Sequence, residues 1–82
     1  MEVAAVIKWE YCQIQAFSTP YRIVFMRANG AQSIEIKRDR SKGDHDDNDA
    51  YQRAIAELGM QGWEAIGYQG QTGNILFKRP LP

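Results

Sequence analysis

The sequence predicts an α+β domain in which four to five antiparallel strands, in the order β-β-β-α-β-β, carry one helix on one face of the sheet. Three observations predict this class. A run of aromatic and β-favouring residues opens the chain, two segments have the pattern of β-hairpins, and apolar residues recur at helical spacing between those hairpins. The chain has 82 residues, which is enough for one core and too few for two, so residues 1–82 are taken as one domain.

The first strand is predicted over residues 8–17, and Pro20 then removes a backbone donor and ends the pairing. Side chains alternate between the two faces of a strand. One face would carry the larger polar and aromatic side chains, Trp9, Tyr11, Gln13 and Gln15, and the other Cys12, Ile14 and Ala16. Because both faces contain apolar groups, the alternation leaves open which of them meets the core.

The second and third strands, residues 21–28 and 31–37, flank Asn29-Gly30, a dipeptide that accepts the positive φ angles of a type I′ turn. If these two residues form the loop, Phe25 lies opposite Ile34 and Ile23 lies opposite Ile36. Both pairs are apolar, which favours this register.

A charged loop over residues 38–48 leads into the helix, which is predicted from about Asp49 to Gln61. Acidic residues just before Ala50 have a structural explanation, because Asp and Asn cap free backbone N–H groups and their charge complements the helix N-terminus. Gly62 is suited to the left-handed conformation that ends a helix. The apolar positions of this helix are Tyr51, Ala54, Ile55 and Leu58.

Residues 63–70 and 73–79 predict a second hairpin around Gln71-Thr72. Its register would place Tyr68 opposite Ile75, Ile66 opposite Phe77 and Glu64 opposite Arg79. We expect the helix to cover one apolar face of the sheet, formed by Ile23, Phe25, Ile34, Ile36, Ile66, Tyr68, Ile75 and Phe77.

Three stretches carry a resemblance to a known family: KWEY at residues 8–11, ELGMQGWEAI at residues 57–66 and LFKRP at residues 76–80. With them the chain resembles a small bacterial family of unknown function. That family has a Trp-Glu-Tyr first strand, a Leu-Gly-x-x-Gly-Trp-Glu turn from helix to strand, and a Phe-Lys-Arg-Pro last strand. The resemblance implies a small antiparallel sheet with one helix across it, and it implies no reaction or catalytic residue.

Composition narrows the classes of function. Hydrophobic residues make up 44% and charged residues 24% of the chain, which is ordinary for a folded domain. Ten Lys and Arg balance ten Asp and Glu, so no overall positive field favours nucleic acid or an acidic membrane. The single cysteine cannot form an internal disulfide, and the apolar start from Met1 to Ile7 is shorter than a signal-peptide core, so a cytoplasmic protein is expected.

Few residues of the sequence suggest catalysis or metal binding. His45 is the only histidine, and the Asp44, Asp46 and Asn48 spacing imitates an EF-hand loop but lacks its glycine and its bidentate glutamate. Cys12 is expected to be a packed strand residue rather than a nucleophile, because no base or positive group is assigned to it. We therefore predict no catalytic residue, no metal site and no cofactor, and chemistry at His45 stays a remote third hypothesis.

The preferred hypothesis is self-association. One helix covers one face of the sheet, and apolar groups remain for the other face. The expected interface anchors are Trp9, Tyr11, Val24, Met26, Trp63 and Leu76, in a homo-oligomer that is most simply a dimer. Against this, the first strand could turn its other face outward, or residues 1–7 could cover the exposed groups.

The alternative is a protein that binds a small ligand or a single-stranded nucleic acid on the exposed sheet. A basic strip would then supply charge beside Trp9 and Tyr11, on which bases could stack. Its members are Arg22, Arg38, Arg40 and Lys42. The acidic run from Asp44 to Asp49 opposes that field, which makes nucleic acid the weaker expectation.

Overall fold

A computed structural model describes residues 6–82, and in that part of the chain it has five strands and one α-helix. They are β1 (Trp9–Gln15), β2 (Arg22–Arg27), β3 (Gly30–Glu35), α1 (Asp47–Met60), β4 (Glu64–Gln69) and β5 (Asn74–Pro80), with a short 3₁₀ turn at Arg40–Lys42. The strands form one antiparallel sheet in the order β3-β2-β1-β5-β4. The predicted class and element order are confirmed.

The first strand, β1, is the centre of the sheet, between β2 and β5. Cys12 and Ile14 are fully buried on the side of α1, and Trp9 and Tyr11 face the other way. This decides the orientation that the alternation left open. The core lies between β1, β5 and α1 and consists of Cys12, Ile14, Ala54, Leu58, Trp63, Ile75 and Phe77.

The helix α1 begins two residues before its predicted start. The side chain of Asp46 is the N-cap and accepts a hydrogen bond from the backbone N–H of Asp49 at 2.8 Å. Its end is a Schellman motif: the N–H of Trp63 donates to the carbonyl of Leu58 at 3.0 Å, and Gly62 has a φ of 91°. The motif sends the chain directly from the helix into the core.

The β2–β3 hairpin forms with a register two residues away from the predicted one. Ile23 lies opposite Ile34, and Phe25 lies opposite Gln32, because the turn residues are Ala28 and Asn29 instead of Asn29 and Gly30. Neither of these two loop residues takes a positive φ, and in this hairpin only Gly30 does, so the type I′ turn is not formed. A shift of two residues keeps every side chain on its predicted face. Hydrophobic alternation therefore could not separate the two registers.

The β4–β5 hairpin keeps the predicted register next to its turn, where Tyr68 lies opposite Ile75. A β-bulge between Ala65 and Gly67 then shifts the pairing by one residue. Phe77 consequently lies opposite Ala65 rather than Ile66, and Glu64 lies opposite Lys78 rather than Arg79.

The helix covers less of the sheet than expected. Ile34, Ile66 and Tyr68 were predicted to be under the helix and are exposed, whereas Ile75 and Phe77 are buried. The exposed three lie on the edge strands β3 and β4. Five strands span about 19 Å between the outer two, and one helix is about 10 Å wide, so α1 cannot reach both edges.

Residues 1–5 lie outside the described residues, and with them most of the segment from Met1 to Ile7 that was considered as a cover for the outer face. Val6 and Ile7 are described, and both are exposed.

Candidate functional site

The sheet face opposite α1, here called the outer face, carries a group of neighbouring apolar side chains. Tyr11 lies between Met26 on β2 and Lys78 on β5, and the next outward position of β1, Gln13, lies between Val24 and Leu76. We call the set Trp9, Tyr11, Val24, Met26 and Leu76 the outer patch. Trp9, Tyr11 and Met26 are 39%, 40% and 42% exposed, and Val24 and Leu76 are half-buried among them.

A cleft of about 430 Å³ opens at one end of the outer patch. Trp9, Tyr11 and Met26 form much of its apolar lining, and Glu10, Arg27, Ala28 and Leu81 line the rest. The Lys78 Nζ atom stands 4.3 Å from the centroid of the Trp9 ring, a cation–π contact. Flat aromatic surface and positive charge therefore meet at this end of the sheet.

Trp63 was predicted as an interface anchor, and its position contradicts that role. It is 5% exposed and belongs to the core, with its ring centroid 6.0 Å from that of Phe25 and 4.4 Å from the guanidinium carbon of Arg79. The reason is the β-bulge: it moves Glu64 to the outer face, opposite Lys78, so the residue before it points toward α1. Among the described residues, the Trp63 Nε1–H has no hydrogen-bond partner.

The basic strip does not converge on the outer patch. Arg38 forms an ion pair with Asp47 at 3.4 Å, and Lys42 faces Glu57 at 3.8 Å, so both turn toward the helix. Arg40 begins the 3₁₀ turn beside them. Arg22 is on the outer face, but it lies opposite Gln15, about 13 Å along the strand from the position opposite Tyr11.

Sequence reasoning missed the central contact of the charged loop. Asp44 is 3% exposed, and its carboxylate accepts hydrogen bonds from Arg53 Nε at 2.9 Å and Nη2 at 2.7 Å, and from the backbone N–H of Asp39 at 2.9 Å. The hydrogen bonds from Arg53 lower the pKa of Asp44 below its ordinary value. Arg53 also donates to Glu57 at 2.8 Å. The i,i+4 spacing of Arg53 and Glu57 was a visible signal, whereas nothing in the sequence distinguished Asp44 from the acids around it.

His45 and Cys12, the two residues considered for catalysis, have contacts that explain them as parts of the fold. The backbone N–H of His45 donates to the Asp49 carboxylate at 2.8 Å, and the residue is exposed. Cys12 is fully buried, and this burial raises the pKa of its thiol to about 11. A thiol with that pKa is almost entirely protonated at neutral pH and is a poor nucleophile. Across residues 6–82, no three His, Cys, Asp or Glu side chains are grouped so that they could hold a metal ion.

Comparisons with protein-family models, curated proteins and solved structures find no match for this chain. The resemblance drawn from the KWEY, ELGMQGWEAI and LFKRP stretches therefore stays a prediction. Within the part of the chain that the structure describes, no helix has the length and apolar character needed to cross a membrane.

Proposed function

We propose that this chain is a non-enzymatic interaction module that self-associates through the outer patch. The observation that carries the proposal is that the sheet has a helix on only one of its faces within the described residues. Because α1 covers a single face of the sheet, Trp9, Tyr11 and Met26 remain side by side on the other face. Aromatic residues and methionine are enriched at the centres of protein interfaces, and contiguous patches of this kind are uncommon on monomers.

The charges around the outer patch support a second copy as the partner. Lys78 lies opposite Glu64 on the outer face, and Arg22 lies opposite Glu35, so both signs are present at its rim. In a two-fold dimer every contact occurs twice: where a first residue of one chain meets a second residue of the other, the second residue of the one also meets the first residue of the other. A rim that carries both signs can therefore place positive groups against negative groups. A rim of one sign would repel its own copy.

The molar mass by light scattering on a size-exclusion column, at several protein concentrations and two salt concentrations, tests this proposal. We expect a mass of two or more chains that stays the same at high salt, because salt screens interactions between charges and does not weaken apolar contacts in this way. Tyr11→Lys and Met26→Lys should each halve that mass. Tyr68→Lys is the matched control, because Tyr68 is an exposed aromatic residue on β4, away from the outer patch, and its replacement should leave the mass unchanged.

A monomer at every concentration would overturn the proposal. So would a mass that Tyr11→Lys, Met26→Lys and Tyr68→Lys all leave unchanged, because the association would then use another surface.

One observation favours a second candidate, the binding of a small ligand or a single-stranded nucleic acid. Trp9, Tyr11 and Arg27 line the same cleft, and Lys78 lies over the Trp9 ring. Exposed aromatic rings next to cations are how many proteins stack single-stranded bases. Because this candidate uses the surface of the proposed dimer, a ligand that occupied the cleft would compete with self-association.

A further inference from the structure

The two edges of the sheet are not equally protected. The edge strand β4 carries the bulge between Ala65 and Gly67, a device that disturbs pairing with a further strand. The register of β3 with β2 runs without a shift from Arg22 opposite Glu35 to Arg27 opposite Gly30, and all six residues of β3 are exposed. β3 contains no proline or lysine, the residues that most often protect an edge strand, and its one charged residue, Glu35, is its last. β3 is therefore an edge suited to accept another strand.

The backbone groups of β3 that no residue among 6–82 pairs with can be identified. The N–H of Ile36 donates to the carbonyl of Tyr21 at 2.8 Å, so this pair is hydrogen-bonded. In an antiparallel ladder, hydrogen-bonded and non-bonded pairs alternate along each strand. Gln32 and Ile34 consequently bond to β2. The N–H and C=O groups of the intervening residues Ala31, Ser33 and Glu35 point away from the sheet.

An uncovered groove follows the same edge. It has a volume of about 460 Å³ and lies between β3, the charged loop and α1, with Ile23, Ile34, Ile36 and Ala54 as its apolar lining. Ile34 is 46% exposed there because α1 does not reach β3. A strand added to this edge would remove part of that apolar surface from water as well as form backbone hydrogen bonds.

We propose that β3 pairs antiparallel with β3 of a second copy, around a two-fold axis at Ser33, so that the two sheets become one. In this register Ser33 faces Ser33 and Ala31 faces Glu35 as hydrogen-bonded pairs, with Gln32 opposite Ile34. Among the two-fold registers that the outward N–H groups permit, this is the one in which Ala31, Ser33 and Glu35 all have a hydrogen-bonded partner within β3. The register centred on Glu35 would place two carboxylates face to face, and the register centred on Ala31 would leave Ile34 and Glu35 without a partner strand.

This inference does not rest on the outer patch, because the edge of a sheet and its face are different surfaces. If both interfaces form and their two-fold axes cross at right angles, the two contacts join four chains in a closed assembly. Disruption of one contact then leaves a dimer held by the other.

Cysteine cross-linking tests the register. Across a hydrogen-bonded antiparallel pair the Cα atoms are about 5.5 Å apart, within the range of a disulfide. Under mild oxidation Ser33→Cys should give at least about ten times more disulfide-linked dimer than Ala31→Cys, whose two copies would lie about 13 Å apart in this register. A mixture of Ala31→Cys and Glu35→Cys chains should cross-link as a heterodimer. The native Cys12 is buried and contributes little background.

The same variants made in a Met26→Lys chain separate this proposal from the outer patch. We expect the Ser33→Cys cross-link to persist there, with a mass of two chains. Ser33→Pro should reduce that mass to one chain, because it removes an N–H that points away from β2 and leaves the β2–β3 bonds in place. Equal cross-linking of Ser33→Cys and Ala31→Cys, or a single-chain mass in Met26→Lys before any change to Ser33, would overturn the β3 pairing whatever the outer patch does.

Discussion

Arg53 on α1 holds the buried carboxylate of Asp44 with two donors, Nε at 2.9 Å and Nη2 at 2.7 Å. Its Nη2 also donates to the carbonyl of Lys37 at 3.0 Å, and Asp44 accepts from the N–H of Asp39. One side chain of the helix thereby ties down the segment between β3 and α1. The sequence predicted a charged loop whose acids cap the helix, and Asp44 departs from that prediction because it is buried and paired with Arg53.

Asp44→Asn should destabilise the fold. The substitution keeps the volume of the side chain but removes the charge, so the half-buried guanidinium of Arg53 loses its principal partner. We expect the Tm to fall by about 5 °C or more in thermal unfolding followed by circular dichroism. Glu64→Gln is the control, because Glu64 is exposed and faces Lys78 across the strands, and its Tm should change by less than about 2 °C. Equal changes in the two variants would contradict the role assigned to Asp44.

At acidic pH the difference in Tm between the native chain and Asp44→Asn should disappear. Arg53 holds the pKa of Asp44 below its ordinary value of 3.8, so the unfolded chain binds this proton at a higher pH than the folded chain does. The contribution of the ionised carboxylate is therefore complete well above pH 3.8 and is lost as the pH falls through the lowered folded pKa. The Tm difference should stay constant from pH 7 to about pH 5 and shrink below about pH 3.8.

Thermal melts of both chains from pH 7 to pH 2.5 measure that difference. Asp39, whose pKa is also lowered, chiefly by the hydrogen bond from the Ser41 side chain, is present in both chains and cancels. A gap that widens in acid would show that Asp44 is not ionised in the fold.

Much of the architecture follows from the sequence, because the hydrophobic alternation and the capping residues act locally. The N-cap acids, the left-handed Gly62 and the contact of Tyr68 with Ile75 are all predictable in this way. Registers are less so, because alternation determines the face of a residue but not its partner, as the shift of Phe25 from Ile34 to Gln32 shows.

The candidate site was predictable where it depends on β1 and β2, and the prediction was wrong at Trp63. The positions of Tyr11 and Met26 follow from strand alternation once one face of β1 is buried. Trp63 directly follows a Schellman turn and precedes a bulge, and the three-dimensional course of that segment decides its face. The pairing of Asp44 with Arg53 could not be predicted from the sequence either. Asp44 is one of four neighbouring aspartates with the same chemistry, and only the fold brings this one to Arg53.

Trp63→Ala should cost about 3–5 kcal/mol in the free energy of unfolding, because it empties a large buried volume between Phe25 and Arg79. Trp63→Phe should cost less than half as much. Among residues 6–82 the Trp63 Nε1–H has no acceptor, so phenylalanine loses packing but no hydrogen bond and leaves no buried donor unpaired. Urea unfolding at one protein concentration measures both values. Tyr68→Ala, an exposed aromatic truncation, should change the free energy by less than about 1 kcal/mol. A loss for Trp63→Phe as large as that for Trp63→Ala would show that the indole N–H has a partner, because phenylalanine keeps most of the packing and lacks only the donor.

The basic strip and the outer patch predict different responses to charge reversal if the chain binds single-stranded nucleic acid. Titration of a fluorescent single-stranded oligonucleotide at two salt concentrations separates them. We expect Arg38→Glu combined with Arg40→Glu to change any binding by less than about twofold, because Arg38 is paired with Asp47 and both residues lie apart from Trp9 and Tyr11. Lys78→Glu should weaken it severalfold and reduce its salt dependence, because Lys78 lies over the Trp9 ring. The reverse pattern, with loss only in the double arginine variant, would place the ligand on the charged loop and count against the cleft as its site.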